Sequence, residues 1–388
     1  MWEKARHRVI FGAMRIFYRP YLWFKTGYRT GIHRLKKKQG QLIVCNHQSV
    51  YDAYMINMAF DRPVFIMAGD YLFNRGKASD RMNWFFAPIP KVKAGSDPAS
   101  LLTTLRVLRE GSVVGIFPEA SRTYDGRFGE VPKSMGRFIK KIKVPVTVFT
   151  LRGGYGADPR WCRSQRFGHF VGKVSKTLSP DEIEKMSEEE IVQFLDDNLR
   201  VDETKTRFRY LSNHRAEYIE RLLYCCPKCG AFSTLHSKGN AVTCTACGLK
   251  AVYTEATTFR FEDFDTPITN VADWVDWQDA QLQRFDGQDG VVFRDEGVLL
   301  ETCDRNKPRE RLSVGAIEID HSELRVVTQD EAFRYPFDEI TLISPIGDTK
   351  ILFTTRKGSF MINGPKRFNP YKYVKWLYHV TGNEEQVR

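Results

Sequence analysis

The sequence predicts an α/β fold: a mixed sheet flanked by helices, preceded by an amphipathic helix and followed by a zinc-ribbon-like cysteine cluster and a small antiparallel β-barrel with a C-terminal helix. Three observations carry this expectation. Residues 41–172 alternate short apolar runs with helical stretches, the rhythm of sheet strands and their covering helices. Two Cys-x-x-Cys pairs follow, separated by fourteen residues. After about Thr258 the text turns to short strands punctuated by turns and ends in one amphipathic helix. At 388 residues the chain exceeds the ~100–200 residues of a single domain, and 42% hydrophobic content with 28 Gly and 17 Pro excludes disordered and fibrous classes.

The formal charge is +12, which points to a polyanionic partner: nucleic acid, an anionic membrane or a phosphate-bearing substrate. Position narrows the choice. Residues 1–40 hold eleven basic residues against one acid, Glu3, so the remaining chain is nearly balanced. On a helical wheel Lys4, Arg8, Arg15 and Arg19 share one narrow face, while Val9, Ile10, Ala13, Met14, Ile16 and Phe17 cover the opposite side. Pro20 is expected to end this helix, with Tyr18, Tyr21, Trp23 and Phe24 clustered around it. Such a segment suits an interfacial membrane anchor, and equally a helix packed on its own domain. No run approaches the ~18 apolar residues of a membrane span, and a signal peptide would need an uncharged apolar centre. The expected location is therefore peripheral, on the cytoplasmic face of a membrane. Cys45, Cys162, Cys225 and Cys303 lie outside the paired cysteines without disulfide-like spacing.

In chain order, strands are expected at 41–45, 64–68, 112–117, 144–150 and 167–171, and helices at 52–60, 82–87, 98–110 and 133–141. Ser179-Pro180-Asp181-Glu182 and Ser187-Glu188-Glu189-Glu190 read as helix starts, the second as a capping box, and close an α/β domain over 41–203. A helical linker over 204–223 leads to the cysteine cluster at 224–256. The barrel, 257–388, has strands at 297–303, 312–319, 324–328, 340–343, 350–355 and 359–362, and a helix at 370–380. Its architecture loosely resembles pleckstrin-homology or GRAM-type domains.

The chemistry begins at Val44-Cys45-Asn46-His47-Gln48-Ser49-Val50-Tyr51-Asp52, where an apolar strand turns into a helix. Ser49 fits an N-cap, which puts Asp52 in the first turn, within reach of His47 just outside it. A carboxylate on one imidazole nitrogen fixes the tautomer and makes the other a better base toward a hydroxyl. The helix N-terminus offers partial positive charge for an oxyanion.

A second segment, Gly115-Ile116-Phe117-Pro118-Glu119-Ala120-Ser121-Arg122-Thr123, again ends a strand in a loop, and Lys133-Ser134-Met135-Gly136 opens a helix. With Asn46-His47-x4-Asp52, these blocks and Val144-Pro145-Val146 resemble the glycerolipid acyltransferases, the lysophosphatidic acid acyltransferase family, over roughly residues 1–200. The resemblance implies catalysis by His47 and Asp52 without a covalent enzyme intermediate. It implies an acceptor site around Asn46, Ser49, Lys93, Glu119, Ser121, Arg122 and Lys133, in which Arg122 suits bidentate phosphate binding. It further implies a lysophospholipid acceptor and an acyl-CoA or acyl-carrier protein donor in phospholipid synthesis, with no catalytic metal or organic cofactor. Two positions depart from the family pattern: Ala120-Ser121 stands for Gly-Thr, and Lys93 for Arg. Phe73, Trp84, Phe85 and Phe86 are candidates for an acyl groove or for core packing. The competing class is a non-catalytic membrane adaptor built on the same fold.

Cys226-Pro227-Lys228-Cys229-Gly230 and Cys244-Thr245-Ala246-Cys247-Gly248 form two knuckles whose four thiolates suit a closed tetrahedral zinc site. With no open coordination position such a zinc is structural. A protein partner could bind there or on the barrel. The sparse basic residues of this segment, Lys228, Lys238 and Lys250, disfavour nucleic acid.

Overall fold

The computed structural model describes residues 1–92, 97–206, 208–304 and 307–382. Two compact units emerge: Met1–Pro159 with Gln165–Ser212, and Arg160–Ser164 with Asn213–Arg388.

The first unit contains, in order, α1 (Ala5–Thr26), β1 (Tyr28–Thr30), β2 (Gln41–Cys45), α2 (Asp52–Ala59), β3 (Val64–Gly69), α3 (Lys77–Phe86), β4 (Ile89–Lys91), α4 (Pro98–Arg109), β5 (Val113–Ile116), α5 (Ser134–Ile142), β6 (Val146–Arg152), α6 (Gly154–Ala157), β7 (Phe167–Gly168), β8 (Phe170–Leu178), α7 (Pro180–Lys185), α8 (Glu188–Leu199) and β9 (Tyr210–Leu211). Seven strands form one mixed sheet in the order β1-β8-β6-β2-β5-β3-β4, with β8 antiparallel to β6. The uninterrupted apolar run of β2 is buried at every residue, as befits a parallel strand covered on both faces. One face packs Leu42, Val44, Val114 and Val148 under α5 and α8; the other packs Ile43, Cys45, Phe149 and Leu151 under α1 and α2. Strands β5 and β6 flank β2 in parallel, pairing Val44 with Ile116 and Cys45 with Phe149. The chain therefore leaves all three strands at the same sheet edge, where α/β folds gather their functional loops.

Helix α1 departs from the expectation at Pro20, which lies inside it. Proline removes one main-chain bond, but Pro20 is exposed, and beyond it Leu22 and Thr26 are buried and hold the last turns in place. Gly27, at φ 77°, then closes the helix with its N–H on the Trp23 carbonyl. The helix is apolar on two opposite sides. His7, Phe11 and Leu22 are buried, with Met14 and Tyr18 packed beside them, whereas Val9, Ile16, Phe17 and Phe24 face solvent. Met14, expected with the outward apolar side, belongs to the inward one.

The second unit has two antiparallel sheets. The first consists of β10 (Leu235–Lys238), β11 (Ala241–Cys244), β12 (Lys250–Tyr253) and β13 (Phe259–Glu262), and α9 (Val271–Ala280) follows it. The second comprises β14 (Phe293–Thr302), β15 (Arg311–Ile319), β16 (Glu323–Val327), β17 (Ala332–Pro336), β18 (Ile340–Ile346), β19 (Lys350–Thr355) and β20 (Gly358–Asn363), ordered β17-β16-β15-β14-β20-β19-β18. This sheet curls: Tyr335 of β17 packs its ring on Phe353 and Phe360 of β19 and β20. Helix α10 (Pro370–Thr381) buries Tyr373, Trp376 and Leu377.

The expected helix at 204–223 is a correction. Its described residues form only short 3-10 turns and β9. Tyr210 is drawn into the core of the first unit beside β7, Tyr218 adopts the left-handed conformation at φ 69°, and the Arg221 guanidinium is buried on the carbonyls of Trp161 and Lys366. These tertiary partners outweigh helix propensity.

Candidate active site and cysteine cluster

His47 follows β2, and its Nδ1 lies 2.7 Å from Oδ2 of Asp52 at the first residue of α2. The Asp52 carboxylate is fully buried and richly satisfied. Oδ2 also accepts the main-chain N–H groups of Gln48 at 2.6 Å and Ser49 at 2.9 Å, and Oδ1 accepts the Ser49 hydroxyl at 2.7 Å. The imidazole stacks on Phe117 with centroids 4.2 Å apart and planes 17° from parallel. Its side chain keeps 23% exposure, so the dyad meets the surface through the ring and not through the carboxylate.

Ser49 is not the N-cap. Tyr51 holds that position, and the Ser49 hydroxyl goes to Asp52 while accepting the Tyr51 N–H at 3.1 Å. Five successive N–H groups, His47 to Tyr51, are thereby all engaged: by Glu119, Asp52, Asp52, Asp158 and Ser49. These five donors precede the first residue of α2 and are spent on holding the turn that carries His47.

Glu119 likewise differs from expectation. Its Oε1 accepts the His47 N–H at 2.7 Å and its Oε2 accepts the Gly129 N–H at 2.9 Å, so both oxygens clamp loops. Desolvation pushes its pKa up to about 8 against the pull of those two N–H groups. Thr123 adds a bond from its N–H to the His47 carbonyl at 3.0 Å. Asn46 is buried and bridges the backbone of β6, donating to the Leu151 carbonyl and accepting its N–H. Asn46, Ser49 and Glu119 thus shape the site from inside.

Arg122 approaches Asp158 at 3.5 Å, with 17% side-chain exposure. Ser121 is half-buried in the same loop, Lys133 is exposed at the start of α5, and Lys93 lies outside the described residues. Of the aromatic candidates, Trp84 and Phe85 are exposed, Phe86 packs on Phe11 and Tyr54, and Phe73 is half-buried.

Two acids that no motif marked complete the support. Asp158, after β6, is buried and bonds the Val50 N–H at 2.9 Å; burial raises its pKa and the Arg122 charge opposes the rise. Glu203 accepts the Gly153 N–H at 2.6 Å and the Gln48 amide at 3.1 Å, while the Gln48 oxygen accepts the Gly154 N–H at 2.8 Å. A Cβ on Gly154 would stand 2.7 Å from that of Gln48, so glycine is what allows this approach. An unsatisfied run of N–H groups after His47 could have signalled the need for Asp158, whereas nothing near the motif signals Glu203.

In the second unit the Sγ atoms of Cys226, Cys229, Cys244 and Cys247 all lie within 4.8 Å of one another. The Cys226–Cys247 and Cys229–Cys244 pairs stand 3.7 and 3.8 Å apart. A tetrahedron with metal–sulfur bonds of ~2.3 Å has edges of ~3.8 Å, so the cluster fits zinc, and far exceeds a disulfide's ~2.05 Å. Gly230 and Gly248, at φ 67° and 72°, turn each knuckle so that its N–H returns to the Cys226 or Cys244 carbonyl. Cys225 stays outside, its thiol on the Gly230 carbonyl.

Residues 29–151 match the family model described as Acyltransferase, and the matched stretch includes His47, Asp52, Glu119 and Arg122. No curated protein matches the chain in sequence. Among solved structures it is similar to the 1-acyl-sn-glycerophosphate (LPA) acyltransferase PlsC from Thermotoga maritima, at 20% identity and a TM-score of 0.41, over 48% of this chain and 75% of that one.

Proposed function

We propose that this protein is a peripheral membrane O-acyltransferase of phospholipid synthesis. It moves a fatty acyl group from an acyl-CoA or acyl-carrier protein thioester to a lysophospholipid hydroxyl, foremost that of 1-acyl-glycerol-3-phosphate, giving phosphatidic acid. The observation that carries this reading is the 2.7 Å His47–Asp52 pair at the mouth of an acyltransferase-family domain.

Asp52 holds the proton on Nδ1, which leaves Nε2 to take the proton of the acceptor hydroxyl. The oxygen attacks the thioester carbonyl, a C–O bond forms, and the tetrahedral intermediate breaks its C–S bond. The imidazolium returns the proton to the leaving sulfur, so the enzyme ends unchanged. Arg122 is the cation beside this loop and suits the acceptor phosphate, with Ser121, Lys133 and Lys93 as further contributors. The outward apolar side of α1, with basic residues of segment 1–40, suits attachment to an anionic bilayer. Among the described residues no helix is long and apolar enough to cross a membrane.

In the second unit, Cys226, Cys229, Cys244 and Cys247 would hold a structural zinc in a ribbon that braces the fold. The seven-stranded sheet and α10 are read as a pleckstrin-homology or GRAM-like module.

The test is a matrix of lysolipid acceptors against acyl-CoA and acyl-carrier protein donors, run with wild type and His47→Ala. Turnover in at least one pair, abolished by the substitution, is expected. Biological activity that survives His47→Ala intact, with no turnover in any pair, would instead favour the adaptor.

A further inference from the structure

A cleft of about 430 Å³ opens between α1 and β1. Arg15, Arg19 and Arg29 line it together with Ile16, Pro20 and Trp23, and no carboxylate is among its described lining residues. Two of the guanidiniums are held in place: Arg15 donates to the Phe60 carbonyl at 2.5 Å, and Arg19 to the Thr30 carbonyl. Each guanidinium carries five N–H donors in a planar fork, so anchoring one still presents a fixed edge for phosphate oxygens. Arg29 adds an exposed cation.

The rim is apolar and comes from two distant parts of the chain. Of the lining residues on α1, Ile16 and Trp23 are 68% and 46% exposed. Trp23 meets Phe167 of β7 edge to face at 6.2 Å, and Phe167 and Leu211 of β9 are exposed as well. Exposed rings and branched aliphatics around three arginines match the chemistry of a lipid at a bilayer surface. A nucleic-acid backbone would use the arginines and leave the aliphatic rim in water. The three arginines are not among the described hydrogen-bond partners of His47 or Asp52.

We propose that this cleft seats the phosphate headgroup of an anionic phospholipid that stays in the bilayer, a site separate from the acceptor site at His47. Ile16, Trp23, Phe167 and Leu211 would then enter the acyl boundary around the bound headgroup. The proposal deepens the membrane reading above and rests on it, by naming a defined lipid where that reading needs only general attraction.

The test uses the full chain with soluble dihexanoyl-phosphatidylglycerol below its micelle concentration, followed by calorimetry. In parallel, the protein is sedimented with phosphatidylcholine vesicles with and without phosphatidylglycerol. Saturable one-to-one binding of the short lipid is expected, weakened about tenfold or more in Arg19→Gln/Arg29→Gln and much less in Lys37→Gln/Lys38→Gln, which removes the same charge. Ile16→Glu, at an exposed position, should weaken binding too without touching the anchored arginines. His47→Ala should bind as wild type does. Equal losses in the two double variants, an affinity for inorganic phosphate equal to that for the lipid, or a loss in His47→Ala would each overturn the site. Vesicle binding that fails while the short lipid still binds would sink the membrane reading and leave the anion site standing.

Discussion

The main-chain N–H of His47 is held by the carboxylate of Glu119, 72 residues further along, at 2.7 Å. Because the second carboxylate oxygen holds Gly129, one half-buried acid fastens the loop after β2 to the loop after β5. Glu119→Gln keeps the shape but turns an amide NH2 toward one of two N–H donors, leaving a buried donor unsatisfied at ~1–3 kcal/mol. Activity is expected to fall at least tenfold by loss of positioning, measured as kcat at saturating acceptor.

The same residue gives stability a pH dependence of definite sign. Glu119 titrates near 8 in the folded chain and near its ordinary 4.5 once unfolded. Between those values the native state holds a proton that the unfolded state has released, so this contribution to stability falls as pH rises from about 4.5 to 8. Chemical denaturation of wild type and Glu119→Gln across that range should show a shallower slope in the variant. An unchanged slope would mean that the carboxylate is ionised throughout.

Asp52→Asn separates orientation from packing. The asparagine can still accept some of the bonds that Asp52 receives from Gln48, Ser49 and His47, but it cannot stabilise the imidazolium formed during transfer. A drop in kcat of ~10²–10⁴ with little change in acceptor KM is expected. Steady-state kinetics and circular dichroism on the variant check both halves of that statement.

Asp158 offers a different split, since it serves the loop through Val50 and the cation through Arg122. Asp158→Asn keeps an acceptor for the Val50 N–H and removes the charge opposite Arg122. Acceptor KM should then shift several-fold with kcat near normal, whereas Asp158→Ala should lower kcat as well. Equal kinetics in the two variants would show that only the Val50 bond matters.

The dyad was legible because it is local: one strand end and one first turn place His47 and Asp52 within six residues. Residue types elsewhere were legible while their roles were not. Glu119 stands in a recognisable block, yet what it binds depends on the parallel β2–β5 pairing that brings His47 alongside. Asp158 and Glu203 carry no pattern at all, since they answer an N–H demand created 108 and 155 residues away. In α1, Pro20 misled because propensity weighs one lost hydrogen bond, whereas burial of Leu22 and Thr26 decides the helix. Strand β17 was missed for a similar reason: Ala332–Pro336 is short, charged and proline-ended, and only its ladder to β16 makes it a strand.

Ala120 is where the chain departs from a glycine-bearing block, and it sits at φ 57° in the left-handed region. An L-residue there costs ~1–2 kcal/mol, part of which the stiffer unfolded chain offsets. Ala120→Gly should stabilise the first unit by ~1 kcal/mol and raise its melting temperature by ~2–4 °C, as read by calorimetry. A fall in melting temperature would mean that the alanine methyl contributes contacts worth more than the strain.

The cysteine cluster is wired into the rest of its unit, which sets what metal removal should do. Trp274 of α9 donates its indole N–H to the Cys225 carbonyl at 2.9 Å, and Arg284 donates to the Gly230 carbonyl at 3.0 Å. Lys372 of α10, 2% exposed, reaches Ser233 at 2.8 Å beside the first knuckle and pairs with Asp295 of β14 at 2.8 Å. Four thiolates without a metal would repel one another, and the first knuckle would lose the geometry on which all these bonds depend. Chelation, or Cys226→Ser, is therefore expected to lower the melting transition of the whole second unit and to move the fluorescence of Trp274 and Trp376. Metal analysis should find about one zinc per chain in wild type and much less in the variant. A second unit that melts unchanged after zinc has been removed would show that the strands and α10 fold independently of the knuckles.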